Sequence, residues 1–445
     1  MITDVFRRDG LVHLCVMAAI VAATFQGYLK DRIAGPLPYA LSDAAFIFAA
    51  LVWFGSLTIR HQPIRGPGSV PTILVIVIFL PALYLLHPGT PLAVELAGLR
   101  TWTLFPVAGV LGLSVIHDAT QLRAYVALIL GLCVVTAVYG IAQYVQGPET
   151  LVRAGELALE RHGATVFYRA GDETEFRAFS TFTFPAPFAA MMVYGMLLAA
   201  GIATSRVWRR PARVGAALLI PLFFMGMTVS GTRAALVVLL IGLAILAWYR
   251  RLSVVQVLLV PVVLAALHVA TLLTAGRIVE RYRTLLLEEG VLWSYVSAPI
   301  LTAARYLAEY PFGIGLGRTG IGVPFVITRS YPRDYFVFTD GDIGRAAVEL
   351  GIFGTIVLAL IVFMIVRYLP WAMQKLRGTT SEDLALGAGA LVLSAAVVLL
   401  IGSPFSSSPH GIIWWFFFGG LLKLAMVEND EGRTEEREDG GRGGR

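Results

Sequence analysis

Apolar residues along this chain gather into runs of about 20, the length that takes a helix across ~30 Å of hydrocarbon. The polar residues lie mostly in short gaps between the runs. About twelve runs meet the length criterion, starting near Leu11, Leu37, Val70, Leu92, Leu122, Thr183, Val214, Ala234, Val254, Ala346, Leu384 and Gly411. The pattern predicts an all-α, polytopic integral membrane protein with one membrane domain over 1–427. The first run follows Phe6, Arg7 and Arg8, as in a signal peptide, but it is longer than the usual apolar stretch of one and further runs follow. It reads as a retained first helix. Pro81, Pro106 and Pro261 fall inside runs, which a membrane helix tolerates where neighbours satisfy the freed carbonyls.

Two longer gaps break the series, at about 147–180 and about 275–345. In the second, Pro299 is placed to begin a short helix that runs through Glu309 and is stopped by Pro311, and a Gly-rich turn follows. The end of the chain, 428–445, is rich in Gly, Glu and Arg and reads as a disordered tail. No internal repeat is evident.

Composition sharpens this picture. Of 445 residues, 57% are hydrophobic and 14% charged, against roughly a quarter charged in a soluble protein, and the mean hydropathy is +0.75. The net charge of +6 comes from 35 basic and 29 acidic residues scattered through short loops. That distribution marks topology rather than a nucleic-acid surface, so no nucleic-acid partner is expected. With the N-terminus in the cytoplasm, the inner loops collect Arg60, Arg65, Arg123, Arg206, Arg209, Arg210, Arg213, Arg250, Arg251, Arg367, Lys375 and Arg377. The short outer loops hold only Lys30, Arg32 and Arg233. Both termini are then cytoplasmic and both long loops extracytoplasmic. Cys15 and Cys133 sit inside apolar runs, which argues against a disulfide framework or a thiolate metal site.

Candidate chemistry concentrates at the outer face. Arg233, at the start of a run, is an anion ligand if it faces a cavity and an interfacial side chain reaching for headgroups if it does not. Arg177 lies just ahead of another run, and two arginines at one face can clamp a pyrophosphate through paired, charge-assisted hydrogen bonds. Arg100 is a third candidate for substrate binding. Gly315, Gly317 and Gly320 spell a formal G-x-G-x-x-G around Arg318, but no parallel strand precedes it and no helix clearly follows. The dinucleotide reading fails, and a turn bringing amides, with Arg318, close to a sugar or phosphate remains.

The stretch from Asp340 to Gly351 delivers Asp340, Asp342, Arg345 and Glu349 into the next run. Asp340 and Asp342 at the mouth suit a general base or a group that positions a hydroxyl nucleophile, whereas Glu349, about two turns deeper, needs a buried partner. A solvated loop end with one internal salt bridge is the plainer alternative. Without His or Cys nearby the carboxylates form a poor ligand set, and neither metal nor cofactor is predicted. None of the histidines shows a ligand spacing; His162 and His410 fall on the outer side, where they either touch substrate or, as lone histidines more often do, serve as structural or solvated groups. The aromatic cluster from Trp414 to Phe418 reads most simply as lipid-facing or interfacial, with a lipid-substrate groove as the lesser alternative.

Four of these stretches together resemble the bacterial O-antigen ligase and O-antigen polymerase family. They are Arg177 to Phe182 with Pro185 beyond, Gly231 to Arg233, Pro311 to Gly315, and Glu349 to Gly354. Their order and sidedness around a large outer loop carry the likeness, over about the second two thirds of the chain. The resemblance implies a fold of the lipid-dependent membrane glycosyltransferase kind in the bacterial cytoplasmic membrane. It implies transfer of glycans from undecaprenyl pyrophosphate at the outer face without metal. A glycan or lipid acceptor, membrane lipids and other polysaccharide-assembly proteins are the implied partners. Arg177 and Arg233 match arginines that contact the pyrophosphate. Where ligases carry His-Asn this chain has Asp340 and Gly341, and Phe184 and Ala186 replace asparagines around Pro185. These departures point to a polymerase or an exopolysaccharide-type ligase rather than lipid A core ligation. Chemically, an acceptor hydroxyl attacks the anomeric carbon as pyrophosphate leaves, with Arg177 and Arg233 at the leaving group and Asp340 near the acceptor. Two other classes fit many spans: a secondary transporter or lipid-linked sugar flippase, for which inverted repeats would speak, and a non-catalytic envelope scaffold.

Overall fold

In the computed structural model, residues 9–33, 37–60, 64–85, 87–154, 166–170, 173–337 except 251–289, 339, 341–397, 399, 402, 405 and 407–442 are described. Helices dominate, as continuous apolar runs dictate where backbone groups must be satisfied within the segment. In chain order they are α1 (Gly10–Thr24), α2 (Gln26–Arg32), α3 (Leu37–Arg60), α4 (Val70–Phe79), α5 (Leu92–Val115), α6 (Ala119–Gln146) and α7 (Glu149–Ala154). A hairpin of β1 (Phe167–Ala170) and β2 (Glu173–Phe176) follows, paired antiparallel with Phe167 opposite Phe176. Then come α8 (Pro185–Thr204), α9 (Arg210–Val229), α10 (Arg233–Arg250), α11 (Val291–Glu309), α12 (Phe325–Thr328), α13 (Gly341–Leu350), α14 (Ile352–Lys375), α15 (Glu382–Val397) and α16 (His410–Arg442).

Among the described residues, seven helices are long and apolar enough to cross a membrane: α3, α5, α6, α8, α9, α14 and the first part of α16. The pair α1 and α2, bent by 57°, makes an eighth if it is one broken span. The chain is thus a helical, multi-pass membrane protein. Several expected runs take another form. The Val70 run gives α4 and a 3-10 turn over Leu80–Tyr84 with Pro81 in its first turn, and the Ala234 run gives the shorter apolar helix α10. The Ala346 run divides, because Gly351 adopts φ 60° between α13 and α14 and the long helix starts only at Ile352. The Leu384 run becomes the 16-residue α15, and the Val254 run lies outside the described residues. Helix α11 starts at Val291 and carries Pro299 in its interior, so the start expected at Pro299 is corrected; its end at Glu309 stands. Helix α16 runs on to Arg442 through the segment read as a disordered tail, whose Glu and Arg residues are good helix formers.

The centre of the bundle is the pairing of α5 with α16. Gly109 and Gly112 on α5 meet Gly419 and Gly420 on α16 so closely that a Cβ on Gly419 would strike the Gly109 carbonyl, and one on Gly112 the Phe416 carbonyl. Small residues let membrane helices approach backbone to backbone, where van der Waals packing holds them. This also corrects the lipid-facing reading of the aromatic cluster. Trp414, Trp415, Phe416, Phe417 and Phe418 are all buried, because α16 is surrounded by protein on every side. The Trp414 indole finds its acceptor in the Val392 carbonyl of α15 at 2.9 Å.

Two irregular segments shape one end of the bundle. Residues 177–184 thread between helices: Thr181 accepts from the Tyr28 amide at 3.0 Å, Ala178 donates to the Val229 carbonyl, and the Gln143 side chain accepts from the amides of Phe179 and Ser180. The break between α1 and α2 lets Gly27 lie against the Phe182 backbone, where no side chain would fit. The Gly-rich segment from Gly313 to Gly322 folds over α5, with Gly317 at φ 76° lying directly on Gly98. At the other end, Asp383 of α15 accepts from Arg123 of α6 at 2.8 and 3.0 Å and from the Trp208 indole at 2.6 Å.

Candidate functional site

At the end shaped by the irregular segments, a cavity of about 350 Å³ opens between α8, α10, α13, α15 and α16. Its wall is mainly apolar, from residues such as Ala190, Val193, Ala235, Val238 and Ala395, with polar groups from Thr232, Thr339, Ser407 and His410. That combination is typical of small-molecule sites.

Four helices begin at this wall. The first turn of α8 contributes Ala186 and Pro187, that of α10 contributes Ala234 and Ala235, and α13 and α16 contribute their first residues, Gly341 and His410. Each helix N-terminus acts as roughly half a positive charge, so four around one space favour an anion. Local contacts trim this. Pro185 and Pro187 lack N–H groups, the Asp342 amide is held by Gly402, and the Gly411 amide by Ser407. Asp342 also adds a negative charge in the first turn of α13. Ala395, in the last turn of α15, brings one helix end of the opposite sign to the same wall.

The two predicted arginines meet at the turn before α10. Gly231, at φ 59°, makes that turn. The Arg177 guanidinium donates to the Ser230 carbonyl at 2.9 Å and to Thr232 Oγ1 at 3.0 Å, so it holds the turn from outside and reaches the cavity through Thr232. Arg233 stands half-buried beside the wall, between its lining neighbours Thr232 and Ala234. Asp340 lies outside the described residues; Thr339 and Gly341 on either side of it both line the cavity.

Of the remaining predicted residues, Arg100, Arg318, Arg345 and Glu349 do not line the cavity, while Asp342 adjoins the wall, following Gly341 and donating its amide to the Gly402 carbonyl. Glu349 and Arg345 are fully buried and paired, Arg345 Nε to Glu349 Oε2 at 3.2 Å. The same carboxylate accepts from the Trp102 indole at 2.7 Å and from Thr319 Oγ1. Arg345 also donates to Thr101 Oγ1 and lies over the Trp102 ring at 4.7 Å. The buried partner that Glu349 needs is therefore Arg345, one turn away, with α5 and the Gly-rich segment completing the shell. Arg100 pairs with Asp43 at 2.7 Å and donates to the Gly322 carbonyl at 3.2 Å. Arg318 stacks on Tyr335 at 3.9 Å. Asp342 accepts from the Phe405 amide at 3.1 Å. Arg100, Arg345 and Glu349 thus form a latch that fixes the Gly-rich segment and α13 on α5, and Arg318 ties the Gly-rich segment to Tyr335.

The wall also holds Tyr194, which carries no signal in the sequence, and His410, one of the two outer-side histidines; their rings meet edge-on at 5.3 Å. Among the described residues no three His, Cys, Asp or Glu side chains converge as a metal site. Comparison with protein-family models and with curated proteins gave no match.

Proposed function

We propose that this chain is a glycosyltransferase of the O-antigen ligase and polymerase type, acting on an undecaprenyl pyrophosphate-linked oligosaccharide at the outer face of the bacterial cytoplasmic membrane. The observation that carries this reading is the convergence of four helix N-termini and the Arg177–Thr232–Arg233 corner on one largely apolar cavity. An anionic headgroup on an apolar chain suits such a space. The reading includes about twelve spans with both termini cytoplasmic, which puts the cavity on the extracytoplasmic side.

In this scheme the pyrophosphate lies against the turn before α10. The acceptor oxygen bonds to the anomeric carbon as the carbon–oxygen bond to phosphate breaks, and the electron pair leaves on the pyrophosphate. Arg233 and the helix ends stabilise that charge more in the transition state than in the substrate. Arg177 holds the turn in position. The acceptor's proton goes to a carboxylate at the mouth, for which Asp340 is the candidate. Chain growth on the same lipid makes the protein a polymerase; transfer to a separate acceptor makes it a ligase.

The test is reconstitution in liposomes with the lipid-linked repeat unit of the host, products being read by mass. Repeats joined on one lipid, or transfer to an added acceptor, with loss of both in Arg233→Ala, support the reading. Full activity in an equally expressed Arg233→Ala protein removes Arg233 from the mechanism. An intact substrate that changes leaflet replaces the enzyme with a flippase.

A further inference from the structure

We infer that His410 is the ligand-contacting group of the cavity for a hydroxyl, specifically a hydroxyl of a sugar ring carried on an apolar chain. This rests on the proposed function for the sugar's origin but not for the contact itself.

His410 is 1% exposed, lines the cavity, and neither ring nitrogen has a hydrogen-bond partner. The Pro187 carbonyl lies close to the ring, but no hydrogen bond of ordinary geometry forms. Buried polar atoms are nearly always satisfied, and with the Pro187 carbonyl beside one ring nitrogen the other still marks a place where a partner belongs. The ring is not loose: Phe182 stacks on it at 6.1 Å and Tyr194 meets it edge-on at 5.3 Å. Two aromatic neighbours fix its plane before any ligand arrives.

The chemistry of the missing partner follows from the imidazole. Its neutral form offers one donor and one acceptor. A hydroxyl can meet whichever ring nitrogen faces it, accepting from the N–H or donating to the bare nitrogen, whereas an ionised phosphate only accepts and can meet the N–H alone. The anionic part of a ligand is thus directed to the Arg233 side and the hydroxylated part to His410. Ser407 and Thr339 place further hydroxyls on the same wall, and the apolar remainder suits a chain.

The test uses the full-length protein in lipid nanodiscs. The probe is hexyl β-D-glucoside with a diazirine in its chain, below its micellar concentration. Labelled peptides are read by mass, and unlabelled hexyl glucoside and its per-O-methyl derivative serve as competitors. The expected result is labelling of α8 or α10 that hexyl glucoside displaces and the methylated compound does not. His410→Phe should weaken the glucoside by roughly tenfold, about the loss of one hydrogen-bonded contact, while His410→Gln, which keeps a donor and an acceptor, stays within about threefold. If His410→Phe fails to fold, His410→Gln with the methylated competitor still decides. Labelling elsewhere, equal displacement by both competitors, or unchanged affinity in a folded His410→Phe protein overturns the inference. Selective binding without any glycosyl transfer upholds the contact and removes the enzyme reading; transfer without selective binding does the reverse.

Discussion

The Trp102 indole and the Glu349 carboxylate, on helices far apart in the chain, are joined by a 2.7 Å hydrogen bond in which both residues are buried. Through it α5 holds α13, and through Thr319 the same carboxylate holds the Gly-rich segment. One anion therefore organises three elements, and Arg345 balances its charge.

Glu349→Ala leaves the Arg345 charge buried without its counter-ion, a loss expected to cost about 3–5 kcal/mol. Glu349→Gln keeps shape and part of the hydrogen bonding and should cost less. Thermal unfolding of the purified proteins in one detergent ranks them; equal melting of Glu349→Ala and the parent would contradict the latch.

Gly419→Ala forces α16 away from α5 at their closest point and should destabilise the bundle by about 1–3 kcal/mol. Gly215, on α9, has open space around a built Cβ. Gly215→Ala is therefore the matched control, expected to melt with the parent or slightly above it. Should the two variants melt alike, the α5–α16 contact is looser than described.

Arg177→Lys keeps the positive charge but cannot span both the Ser230 carbonyl and Thr232 Oγ1 in the planar guanidinium's geometry. Its kcat/KM in the reconstituted transfer assay should fall by roughly tenfold or more. Parent-like transfer by the lysine variant would show that charge alone suffices there.

Asp383→Asn weakens the contacts to Arg123 and Trp208 at the end away from the cavity. The melting temperature should drop, by an amount near the ~1.5–3 kcal/mol of a charge-assisted hydrogen bond. Binding of hexyl glucoside should not change. A weakened probe with unaltered melting would mean that the two ends communicate.

Much of this architecture is legible in the apolar runs, because a membrane helix needs little more than length and hydrophobicity. Run length alone does not separate a span from a shorter buried helix. Hence α4, α10 and α15 read as full spans, and the break at Gly351 is hidden inside one run. Arg177 and Arg233 stood out in the sequence as arginines at the heads of two runs, and Arg177 reaches the turn that precedes Arg233. The latch was legible only in part: Glu349 was expected to need a buried partner, but Asp43, Trp102, Thr319 and Tyr335, which complete the contacts, come from remote segments. The cluster from Trp414 to Phe418 was misread because a one-dimensional pattern says that a helix is apolar but not how deep in the bundle it lies.

The placement of α16 carries a consequence for biogenesis. This helix supplies His410 to the cavity and the glycine face that α5 packs against, yet it follows every other wall element in the chain. The ribosome must therefore release α16 before the cavity has its full wall, and nascent chains stalled ahead of Pro409 would insert their earlier helices but bind nothing.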